Sequence, residues 1–205
     1  MKIKQKKLDL QDVFYIGYLY LIILGIVSDA IFYGIFGVSY LNYTTILDAL
    51  ISPISLLINN WKISLFLGLM FFIMYLYFTR WMFKVYAFFR VKKWYQKMYN
   101  IEKWDKKYEE LAKKKTIIPG MMFIFFLLFI SMRTGMGIGM KQKYNSKEII
   151  PNYTLVFKDN SKLDVRKVGQ NSAYFFYFIP GEKVITATPI ADNLKQIKVL
   201  QKEKK

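Results

Sequence analysis

The sequence predicts an integral membrane α-helical protein with three spans, a further re-entrant or interfacial helix, and a small all-β C-terminal domain of the SH3-like or Sm-like barrel type. Three observations carry this. Val13 to Ser28, Ile63 to Thr79 and Thr116 to Met132 are runs of uncharged, mostly apolar residues, near the length a helix needs to cross a bilayer. Lysines flank these runs rather than interrupting them, in a chain with net charge +17, as juxtamembrane contacts with anionic lipid require. From about Asn145 short β-type runs alternate with turn residues. The organisation read from this is a basic tail over 1–12, a helical membrane domain over 13–140 with a basic aromatic loop at 80–115, and a β-domain over 141–205.

The first span starts at Val13 and resumes after Asp29 as far as Val38. The apolar stretch behind the basic amino terminus is too long for a secretory signal, and no small-residue cleavage pattern follows, so this span reads as a retained anchor. Asp29 lies near its outer end; a carboxylate deeper in a membrane is costly and marks an ion or proton path. The second span has Trp61, Tyr75, Tyr77 and Trp81 at its ends, as interfacial belts do. In the third, Thr116 reads as a cap and Pro119 falls in the first turn, where its missing N–H costs little. Arg133 reads as a snorkelling residue at the far end.

Orientation follows from the loops. Residues 80–115 carry twelve Lys or Arg against Glu102, Asp105, Glu109 and Glu110, while 39–61 has no Lys or Arg. The positive-inside bias puts the basic loop and the amino terminus in the cytoplasm and the C-terminal domain outside an inner or plasma membrane. Lys141, Lys143 and Lys147, close to the exit, weigh against the last assignment.

In 44–60, Thr45, Asp48, Ser52, Ser55 and Asn59 recur every three or four residues and form one polar stripe on a helix, with aliphatic residues around the rest. This is either an interfacial helix bent at Pro53 or a re-entrant, pore-lining one. Gly135, Gly137 and Gly139 read as a hinge to the last domain.

The loop interleaves aromatic with basic residues. Arg80, Lys84, Arg90, Lys92, Lys93, Trp94 and Lys97 are candidates for contact with anionic headgroups, preferred over single-stranded nucleic acid because the segment is tethered to two spans. Its second half, Glu102 to Lys115, reads as a solvated helix with favourable Glu–Lys pairs four apart.

Five strands are expected, at 153–158, 162–168, 172–179, 184–190 and 197–200. The third is aromatic from Tyr174 to Phe178; Tyr174, Phe176 and Phe178 on one face are the candidate partner surface, for another copy of the chain or an envelope protein. The order of three spans, a glycine-containing link and a small β-domain resembles the membrane part of small-conductance mechanosensitive channels in architecture, without a shared motif.

No histidine and no cysteine are present, which removes thiol nucleophiles, serine–histidine triads and most transition-metal sites. No phosphate loop or nucleotide fingerprint appears, and the acids are scattered singly. The chain is therefore expected to need no cofactor or metal and to act as a non-enzymatic adaptor or accessory protein. The other reading is a small oligomeric channel or pore-forming effector.

Overall fold

The computed structural model describes residues 9–113, 117–145, 150–182 and 184–200. The basic residues 2–7, Thr116 and Lys147 lie outside these. The chain divides into two units, Met1–Ser55 with Ile130–Lys205, and Leu56–Phe129.

In the first unit α1, Leu10–Gly34, begins three residues before the expected start because Asp9 and Asp12 form a reciprocal capping box over the first turn. Its buried residues Leu24, Gly25, Ser28, Asp29, Phe32 and Tyr33 recur at the helical period, so one stripe faces the rest of the unit. A 3₁₀ turn at Tyr40–Tyr43 follows, then α2, Ile46–Asn59, with Pro53 inside it and buried. The backbone of α2 meets α1 where Gly25 leaves room: a Cβ there would collide with the carbonyl of Ala49. Ile46, Leu47, Ile51, Ile54 and Ile58 are exposed, so α2 presents an aliphatic face outward.

The helix α7, Ile117–Asn145, passes from the second unit into the first without a break. The glycine stretch read as a hinge is thus helical throughout. Where the surroundings are apolar, the backbone has no partners but its own, which favours an unbroken hydrogen-bond ladder. Gly137 instead permits close packing, because a Cβ there would press on Phe32 of α1 and on Ile35, which caps its end. Asp29 meets Arg133, Phe32 and Ile35 lie against Gly137, and Lys141 donates to the Ile35 carbonyl. Contacts advance together along both helices, so α1 and the second half of α7 run parallel.

The last segment is a five-stranded antiparallel sheet of β1 Tyr153–Phe157, β2 Lys162–Gln170, β3 Tyr174–Phe178, β4 Ile185–Pro189 and β5 Leu194–Val199, in the order β4-β3-β2-β1-β5. All five expected strands are present, but they do not close into a barrel. β4 and β5 are opposite edges without a ladder between them, joined by the short α8, Ile190–Asn193. That corner spans the end of the sheet: Ile190 N–H donates to Ala173 O, and Lys158 N–H to Asn193 O. Both sides of the sheet carry a core, and β3 is buried on both. Leu155, Val165, Phe175, Tyr177 and Leu194 form one core; Val168, Phe176, Phe178 and Ile185 form another with Phe32, Tyr33 and Tyr40. β2 serves both because Val165 and Val168, three apart, point to opposite faces by strand alternation; a register shift between Lys167 and Gly169 falls at Val168.

In the second unit α3, Trp61–Leu76, is too short to cross a bilayer as an α-helix alone. A π turn, Tyr77–Trp81, carries it into α4, Met82–Arg90. Then come α5, Lys93–Met98, and α6, Ile101–Lys113. Leu10–Gly34 and Pro119–Tyr144 are long and apolar enough to cross a membrane; Ile46–Asn59 and Trp61–Leu76 reach that length only as a pair, bent by 101° at Asn60.

Candidate functional site

The polar groups that the sequence marks out in the membrane domain converge at the end of α1 nearest the sheet. Asp29 is 2% exposed and Arg133 8%. The Arg133 guanidinium donates to Asp29 Oδ1 and lies 4.1 Å from the centre of the Phe32 ring. Arg133 is therefore not a snorkelling residue: it is turned inward between two helices, where an opposite charge and an aromatic face replace the water it has lost. Ser28, one residue before, returns its hydroxyl proton to the Gly25 carbonyl at 3.2 Å.

Above this pair lies an aromatic layer. Tyr33 and Tyr40 stack with ring centres 4.4 Å apart and near-parallel planes, and the Phe176 ring stands 4.7 Å from Tyr33. Phe36 packs edge-on against Phe178, which Tyr144 of α7 covers at 3.9 Å. Burial pushes the Tyr40 hydroxyl up to about 12, with the negative charge of Asp29 adding to it. Gly169 of β2 lies under the Tyr33 hydroxyl, leaving no room for a side chain. The surface expected to receive a partner is thus occupied within the chain: Phe176 and Phe178 are buried against α1 and α7, and Tyr174 is half-buried against Tyr43.

A second set of contacts ties α2 to the sheet. Thr45 caps α2, its Oγ1 accepting from Asp48 N–H at 3.2 Å, while Asp48 accepts from Thr45 N–H at 3.0 Å. Asp48 also accepts from the N–H and hydroxyl of Ser172, in the β2–β3 loop, at 3.0 and 3.1 Å. Asn171 beside it donates to the Tyr43 carbonyl at 2.6 Å and accepts from the N–H groups of Ala173 and Tyr174. Of the polar stripe, then, Thr45 and Asp48 are engaged in capping and docking; Ser52 and Ser55 are half-buried and Asn59 exposed.

In the second unit Lys84, Lys92, Lys93, Trp94 and Lys97 are exposed. Arg90 pairs with Asp105 at 2.7 Å, and Tyr86 donates to the other oxygen of the same carboxylate at 2.7 Å. The side chain of Arg80 lies outside the described ones.

Sequence reasoning kept Asp29 and Arg133 apart, and did not find Ser172, Asn171, Gly25 or Gly169. The first pair carried a signal: opposite charges in two apolar runs, each near the end expected on the same side. For the loop residues and the glycines, contact depends on tertiary packing that spacing does not encode. Among the described residues no cluster of three or more acids, histidines or cysteines could hold a metal ion. No protein-family model, curated protein or solved structure matches this chain.

Proposed function

We propose that this chain is a non-catalytic integral membrane protein of the adaptor or accessory kind, which presents its sheet to a partner on the outer side of an inner or plasma membrane. The observation that carries the reading is the fixed seat of the sheet. One aromatic cluster joins β3 to the end of α1, and Asn171 and Ser172 join the β2–β3 loop to Tyr43 and Asp48. A domain held this way does not swing on a tether, so a bound partner is kept at a set height above the bilayer.

The partner face differs from the one expected. Across β5, β1 and β2, Lys198, Thr154 and Asp164 stand in register, and in the next row on that face exposed Gln196 and Lys162 flank the buried Val156. Lys162, Lys195 and Lys198 are exposed, which favours an acidic surface on an envelope protein or a second copy of the chain. The cytoplasmic placement of the amino terminus and of loop 80–115 rests on loop charge, and it agrees with parallel α1 and α7, because two parallel spans start on the same side.

A photo-crosslinking amino acid at Lys162 or Lys198, activated in native membranes, tests this. Adducts of one defined mass from both positions, and none from Phe176, are expected. Purified chain that conducts ions in proteoliposomes, with flux altered by Asp48→Ala, overturns the adaptor reading in favour of a channel.

A further inference from the structure

The elbow between α3 and α6 belongs to neither reading above. From Trp61 to Arg90, α3, the π turn and α4 run on as one helix of roughly 45 Å, against a hydrocarbon core of about 30 Å. If α3 lies in the core, α4 emerges into the headgroup layer.

The exposed side of α4 carries an apolar stripe beside exposed Lys84 and Arg90. Trp81, Val85, Phe88 and Val91 recur at spacings of four, three and three, with Phe88 60% and Val91 74% exposed. On α5, Trp94 and Met98 are exposed one turn apart, beside Lys93 and Lys97. α6 does not cover this face, because Asp105 holds it to Tyr86 on the buried side of α4, and the same carboxylate takes up Arg90. Residues 80–99 include six Lys or Arg and no acid. Lys92 lies with its ammonium 5.0 Å over the Phe88 ring, so basic and aromatic groups share one surface.

We propose that the α4–α5 elbow is a lipid-reading surface. Phe88, Val91, Trp94 and Met98 enter the upper acyl region, and Lys84, Lys92, Lys93 and Lys97 bind the phosphates of anionic lipids. The occupant is a bilayer because the face continues directly from the apolar helix α3, and an anionic one because every charge on the segment is positive.

The test uses the full chain with Trp61, Trp81 and Trp104 replaced by Phe, in nanodiscs of phosphatidylcholine alone or mixed with phosphatidylglycerol. Trp94 emission is expected to shift to the blue in the anionic discs, with iodide quenching several-fold weaker. Combined Lys84→Gln, Lys92→Gln, Lys93→Gln and Lys97→Gln substitutions, all at exposed positions, should abolish the difference. Equal quenching in both discs, or a Gln variant that behaves as its parent, overturns the proposal. So does a Trp94 that responds to a single-stranded oligonucleotide but not to phosphatidylglycerol, which makes nucleic acid the ligand.

Discussion

Asp29 and Arg133, 104 residues apart in the chain, form a buried ion pair between α1 and α7. Such a pair adds little net stability by existing, since both ions have lost their water, but removing one partner strands the other. Asp29→Asn or Arg133→Met alone should therefore cost about 3 kcal/mol or more. Asp29→Leu combined with Arg133→Met should cost much less than the sum of the single changes. Denaturant unfolding of the four proteins in one detergent measures this, and additive losses would remove the coupling.

The same pair sets a constraint on topology. α1 and α7 are parallel, so if both cross the membrane the chain between them makes an odd number of crossings. A separate crossing by 44–60, in addition to one by 63–79, is then excluded. The chain contains no cysteine, so single-cysteine labelling has no background. Ser39→Cys and Lys195→Cys should react with an impermeant maleimide from one side, and Gln96→Cys from the other. Reaction of Ser39→Cys and Gln96→Cys from the same side would break the three-span arrangement.

Asp48 is predicted to matter as a fastener. It caps α2 through Thr45 and receives two hydrogen bonds from Ser172. Asp48→Ala removes both functions and should destabilise the protein by about 1–3 kcal/mol, whereas Ser172→Ala, which keeps the cap and the backbone N–H, should cost about 1 kcal/mol or less. Limited proteolysis at the β2–β3 loop should accelerate more in Asp48→Ala. Equal rates in the two variants would show that the cap and the dock are not both in use.

Glycine positions offer a sharper steric test. At Gly169 a Cβ would meet the Tyr33 hydroxyl, while at Gly135 nothing stands within 4 Å. Gly169→Ala should lower stability by about 1–3 kcal/mol through forced displacement of Tyr33. Gly135→Ala should be neutral or stabilising by up to about 1 kcal/mol, because it lies in a helix with free space beside it. Thermal unfolding followed by tyrosine fluorescence ranks them; the reverse order would contradict the packing.

These residues also show what could be read from the chain. Runs of apolar residues and alternating strands depend on neighbours in sequence, so two of the three expected spans, as helices long and apolar enough to cross a membrane, and the five strands were legible. The barrel was not, because closure depends on whether β4 and β5 meet, and the aromatic strand that suggested a free face is buried on both. Phe176 and Phe178 show the general difficulty: alternation says that a side chain leaves one face of a sheet, not what waits there. Tyr33, more than a hundred positions earlier, was what waited.

Tyr86 provides the pH test. Its hydroxyl donates to Asp105 at 2.7 Å, and burial first, then that hydrogen bond and the carboxylate's charge, push it from 10.0 up to about 12. Because the folded value is the higher, the stabilisation is fully present below pH 10 and is lost as pH rises through about 12. Tyrosinate absorbance of the intact chain minus that of Tyr86→Phe should therefore show one late-titrating group. In Asp105→Asn, which removes the negative charge facing the ring, the same difference should move to lower pH. A Tyr86 that ionises near its ordinary value in the intact chain would mean that α6 is not held against α4, and the elbow's exposed face would then be covered or turned differently.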